Sequence, residues 1–183
     1  MNDAKRKVVA ALMAAALDKG VRVAYQKALG SLAINFSLLH FHLEMFSWEV
    51  FAVDHQTGQI LTKDLPTTKL IQKLRSCCDH RAIKPTERHQ LSDLLKQIEK
   101  AAERRNELLH NLWFISEGQP SFCYKRGSGK GRVSAPTAPE ITEFSRSIET
   151  LILMLIDFKS IASISIPSFA GEGHPENLIR RQT

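Results

Sequence analysis

Residues 22–52 hold the longest apolar segment of the chain, and its spacing narrows the fold to one built around a long helix. Leu32, Phe36, Leu39, Leu43, Phe46 and Val50 recur at steps of three and four, which places them on one helical face. Phe41, Met45 and Trp48 cover a second face. A helix that is apolar on most sides either lies at the centre of a bundle or buries itself in a partner.

The remaining periodic segments supply neighbours for it. Residues 3–18 read as a short helix. Lys5-Arg6-Lys7 ahead of the run Val8–Leu17 imitates a secretory signal, but Asp3 among the basic residues and the dominance of alanine favour the helix. Residues 54–64 read as a turn or loop around Thr57-Gly58. A helix is expected after Pro66, capped by Thr67 or Thr68 and running to about Asp79, and Lys84-Pro85-Thr86 opens a long one to about His110. Beyond it, Trp113–Ser116 and Phe122–Arg126 are short strand candidates around Gly118-Gln119-Pro120. Thr137-Ala138-Pro139-Glu140 has the spacing of a capping box. The stripe that follows it is Ile141, Phe144, Ile148, Leu151, Ile152, Leu155 and Phe158. The expected fold is therefore all-α: a bundle of four to five helices with a small β-hairpin inserted before the last long helix. One domain spans 1–164, and 165–183, with Pro167, Gly171, Gly173 and Pro175, reads as a flexible tail.

Within this pattern one residue is out of phase. Leu91, Ile98, Arg105 and Leu112 are each seven apart, so Arg105 occupies a core-facing position. An unpaired buried guanidinium costs several kcal/mol and needs a carboxylate, a partner chain or a ligand anion. Arg104 is the ordinary solvent-facing neighbour. Asn106 and His110 are four apart and share a face, whereas Arg105 and His110 are separated by about 140° around an ideal helix. Such a pair suits a groove beside the helix, or two copies of the helix meeting across a dimer axis. The plainer use of these residues is to cap and solvate a helix end, with His110 near the negative end of the dipole.

Arg105-Asn106-x-x-x-His110, late in a long helix of an all-α bundle and followed by Trp113, resembles the motif of the HEPN superfamily: arginine, a polar residue, then histidine after four to six intervening positions. The resemblance extends to the architecture over residues 22–163. It implies a metal-independent endoribonuclease acting as a homodimer, with Arg105, Asn106 and His110 as catalytic residues. By analogy it also implies a cytoplasmic toxin or defence effector with an antitoxin partner such as a nucleotidyltransferase-like protein. The alternative within the family is a non-catalytic dimerisation module that binds protein or RNA.

Other features bear on partners. The 183 residues carry a net charge of +6, which leans towards a polyanion such as RNA. Lys125, Arg126, Lys130 and Arg132 cluster with Tyr124 and Phe122, a mixture that can hold a single strand by phosphate contact and base stacking, although a solvated hairpin tip has the same composition. Glu44 interrupts the apolar helix and is a candidate partner, hence support, for Arg105. His40 and Glu44, four apart, would suit two metal ligands, but a third is missing, and Cys77-Cys78-Asp79-His80 matches no zinc spacing. No metal and no cofactor are expected. Three cysteines with one adjacent pair make a poor disulfide framework and fit a reducing compartment. No stretch is long enough to span a membrane.

Overall fold

A computed structural model describes residues 19–79, 83–110, 112–116, 119–124 and 135–161, with the backbone alone for 19–20, 112–116, 119–124 and 161. These residues form five helices: α1 (Lys19–Phe51), α2 (His55–Thr62), α3 (Thr67–Asp79), α4 (Pro85–His110) and α5 (Ala138–Ile161). The expected helix over 3–18 and the expected tail lie outside the described residues. Between α4 and α5, the backbones of β1 (Leu112–Ser116) and β2 (Gln119–Tyr124) pair antiparallel, with Trp113 opposite Cys123.

The core assembles around α1 as its periodicity requires. Leu32, Phe36, Leu39, Leu43, Phe46 and Val50 are all buried. They pack with Leu70, Ile71 and Leu74 of α3, Leu91, Leu94, Leu95 and Ile98 of α4, and Ile141, Ile148 and Leu155 of α5. The most extensive pairing is between α1 and α5. Tyr25 donates to the Pro136 carbonyl at 3.1 Å, Asn35 reaches Ser145 Oγ at 3.0 Å and Glu149 at 2.6 Å, the Phe46 and Phe158 rings meet edge to face, and Glu49 pairs with Lys159. Contacts advance in the same direction along both helices, so the two run parallel.

α1 ends with Ala52 in the left-handed region at φ 57°, its N–H on the Glu49 carbonyl and that of Val53 on Trp48. This is a Schellman closure with alanine at the position that glycine usually holds. The segment read as a loop then turns out to be helical. Asp54 caps α2, its carboxylate accepting from the Thr57 hydroxyl at 2.6 Å and the Thr57 amide at 3.0 Å, and those two bonds hold its pKa below the ordinary value. Gly58 weakens helix propensity but lets α2 lie directly on the Trp48 indole, whose Nε1 donates to Thr62 Oγ1 at 3.1 Å. Tertiary packing overrides the local turn signal here. Trp48, on the second face of α1, is thereby covered, while Ile34, Leu38 and Phe41 remain exposed.

The capping box at α5 is formed. The Thr137 amide and hydroxyl both donate to Glu140, at 2.6 and 2.9 Å, and Glu140 N–H points back at Thr137 Oγ1. Thr137→Ala is expected to cost about 1 kcal/mol, read from denaturant melts. The Thr137 amide first, then its hydroxyl, hold the Glu140 carboxyl below its ordinary 4.5. A carboxyl depressed in the folded state stabilises it above its unfolded pKa, and the contribution is lost as pH falls through the lower folded value. Glu140→Gln should therefore melt below wild type at pH 7 and close to it at pH 3; an equal gap at both would remove the charge from the account.

Candidate functional site

Arg105 sits one heptad after Ile98, which is fully buried, and the helix carries it into the edge of the core. Its guanidinium carbon stands 5.1 Å from the centroid of the Phe36 ring, a cation–π contact. Nη1 donates to Asn106 Oδ1 at 3.0 Å. Nε is buried and has no acceptor among the described residues, nor does any carboxylate there pair with this arginine. An orphaned buried donor costs roughly 1–3 kcal/mol, against about 0.5–2 kcal/mol returned by the ring. The core position thus carries a cation whose Nε no described residue satisfies.

Three helices meet in front of it around a cleft of about 340 Å³. α1 contributes Phe36 and His40, α3 its first residues Thr67 and Thr68, and α4 Arg105 and Asn106. The start of α3 differs from expectation. The Pro66 carbonyl accepts from the Lys69 and Leu70 amides at 2.9 and 3.1 Å, so Pro66 is the cap residue and brings no capping side chain. Thr67, expected to cap, instead places Oγ1 at 3.0 Å from His40 Nδ1. The Thr67 and Thr68 amides have no hydrogen-bond partner among the described residues. They carry the partial positive charge of a helix N-terminus. Among the described residues no acidic one lines the cleft.

Glu44 does not serve Arg105. Its carboxylate lies 3.7 Å from His40 Nε2, an electrostatic contact longer than a hydrogen bond. Each four-residue step along α1 turns about 40° further round, so Glu44 sits beyond His40 as seen from Phe36 and cannot face the guanidinium. Among the described residues no group of three or more His, Cys, Asp and Glu is placed to hold a metal ion. Cys78 is buried in the core and Cys77 half-buried beside it.

Asn106 is exposed at the cleft edge and draws the guanidinium towards its own side of α4. His110, the last residue of α4, is exposed one turn further along that side and does not line the cleft. One protomer thus joins Arg105 to Asn106 and leaves His110 outside. On the opposite side of α4, Arg104 pairs with Glu107 at 3.6 Å and borders a second groove of about 450 Å³ with Lys100, Phe144 and Met154. Of the proposed RNA-holding residues, Lys125, Arg126, Lys130 and Arg132 lie outside the described residues, as does the side chain of Tyr124.

Sequence reasoning missed His40 and Thr67 as neighbours of Arg105. The available signals were a histidine one turn after core Phe36 and a helix opening at Pro66 with a second threonine to spare. Among the described residues no helix is long and apolar enough to cross a membrane. No family model, curated protein or solved structure matches the chain.

Proposed function

We propose that this protein is a metal-independent endoribonuclease of HEPN type. The observation that carries the reading is Arg105: a guanidinium held at a core position over Phe36, tied to Asn106, with an unsatisfied Nε beside an open cleft. Arginine and asparagine here are the first two positions of the Arg-Asn-x-x-x-His motif. In the reaction the RNA 2′-oxygen attacks the adjacent phosphorus as the bond to the 5′-oxygen breaks, leaving a 2′,3′-cyclic phosphate and a 5′-hydroxyl. His110 moves a proton between the protein and these oxygens. Arg105 stabilises charge on the phosphate, and Asn106 sets the angle of Arg105. Because His110 lies outside the cleft, the reading uses two copies of the chain, the histidine of one completing the arginine of the other. Tyr124, Lys125, Arg126, Lys130 and Arg132 hold the single strand. A toxin or defence role in the cytoplasm, restrained by a nucleotidyltransferase-like antitoxin, follows from the family resemblance alone.

RNA incubated with purified protein and excess chelator should be cut to cyclic-phosphate ends, and His110→Ala should slow cutting by about 10²–10⁴-fold with unchanged circular dichroism. Cutting at wild-type rate by that variant would overturn the assignment. One observation favours a second reading, a binding module without catalysis. The exposed stripe Ile34, Leu38 and Phe41 on α1 is the kind of apolar surface that docks another protein. RNA left intact by a chain that still dimerises would establish it.

A further inference from the structure

We infer that the cleft between α1, α3 and α4 is a phosphomonoester-binding site contained within one protomer, with His40 and the first turn of α3 completing what Arg105 begins. This rests on the proposed function only in sharing Arg105; it assigns a ligand and partners that the ribonuclease motif does not contain.

The donors converge from three directions. Arg105 lines the space, and its buried Nε–H has no acceptor among the described residues. The Thr67 and Thr68 amides open α3 without a capping side chain, as Pro66 supplies only its carbonyl. His40 borders the same space, with Nδ1 held at 3.0 Å from Thr67 Oγ1 and Nε2, 3.7 Å from Glu44, left without a hydrogen bond to it. Asn106 holds Arg105 Nη1, so that the guanidinium does not swing out to solvent. Backbone amides at a helix start and an arginine edge are the groups that bind phosphate oxygens. A carboxylate offers two oxygens, and a phosphodiester two that are not bridging. Donors from three elements suit the three terminal oxygens of a monoester. The charge environment agrees: no acidic side chain lines the space among the described residues, and Glu44 lies 3.7 Å from His40 Nε2. At about 30 Å³ per water, the 340 Å³ volume holds roughly ten waters, enough for a phosphate with its sugar and too small for a duplex. Phe36 forms an apolar wall under the guanidinium.

The site is tested by calorimetric titration and thermal melts of the full chain with AMP, inorganic phosphate and adenosine at matched ionic strength. AMP should bind and raise the melting temperature, inorganic phosphate should do so about tenfold more weakly, and adenosine should do neither. Arg105→Gln should abolish AMP binding, and His40→Gln should weaken it about three- to tenfold. Thr67→Pro, which the first helical position tolerates, should weaken it by removing one amide donor together with the hydroxyl that holds His40. Equal binding of AMP and adenosine, or AMP binding untouched in all three variants, would overturn the site. So would an absence of any response to AMP and phosphate. RNA cutting measured on the same preparations separates the two claims. AMP binding without cutting keeps the cleft and rejects the ribonuclease, and cutting without AMP binding does the reverse.

Discussion

Arg105→Leu should produce a protein that melts higher than wild type and, on the proposed reaction, cuts RNA far more slowly. The side chain extends the buried heptad of Leu91 and Ile98, so leucine at this position meets the apolar surroundings its phase demands. The arginine now there keeps a buried Nε without an acceptor among the described residues, at a cost of roughly 1–3 kcal/mol. Leucine forfeits the contact with the Phe36 ring and the bond to Asn106, worth together about 1–2 kcal/mol at a partly exposed position. Burial of the leucine branch returns about as much again. The balance is a gain of about 2 kcal/mol, or roughly 4–8 °C in melting temperature for a chain of this size. Activity should fall by about 10²–10³-fold, as for the loss of a transition-state donor. A stabilised but inactive variant is the signature of a residue retained for function against the interest of the fold. Scanning calorimetry and the RNA assay on one preparation check both halves. A variant that melts several degrees below wild type would show instead that the guanidinium belongs to the structure.

The second large effect reverses the usual sign of a helix substitution. Glycine to alanine inside an exposed helix stabilises by about 1 kcal/mol. At Gly58 a β-carbon would stand 2.4 Å from Trp48 Cγ and 2.6 Å from Cδ1, distances at which the ring or the helix must move. The indole has little freedom to move, because Nε1 is tied to Thr62 Oγ1, which in turn donates to the Gly58 carbonyl at 3.0 Å. Gly58→Ala should therefore destabilise by about 1–3 kcal/mol, the range for overpacking a close-packed site. A double-mutant cycle isolates the cause: in a Trp48→Leu background the same change should cost nothing or stabilise. An equal penalty in both backgrounds would mean that the clash with Trp48 is not the reason.

These two positions also mark where the sequence was readable. The buried stripes of α1, α4 and α5 follow from spacing alone, since a 3.6-residue period admits one arrangement of Leu32 to Val50 or Ile141 to Phe158. Caps with a local cause, Pro85 at α4 and Thr137 with Glu140 at α5, were legible for the same reason: every participant lies within four residues. α2 was not legible, because Thr57-Gly58 has the composition of a turn, and only Trp48, ten residues before Gly58, explains why glycine is helical there. The cleft was half legible. Arg105 announced itself by its phase, but His40 and Thr67 reach it through the packing of three helices. Glu44, expected beside Arg105, lies instead beside His40, one turn back on α1.

Asn35 bonds to Glu149 across 114 positions of sequence, and the parallel pairing of α1 with α5 that this contact marks gives the protein a timetable. α1 leaves the ribosome before the other described helices, and its principal partner is the last of them to be made. At about 5–20 residues per second, translation separates the two by roughly 5–20 s. During that interval, α3 and α4 are the only described long helices able to cover the stripe from Leu32 to Val50. The arrival of α5 closes the core, joining the start of the bundle to its end in a single late event.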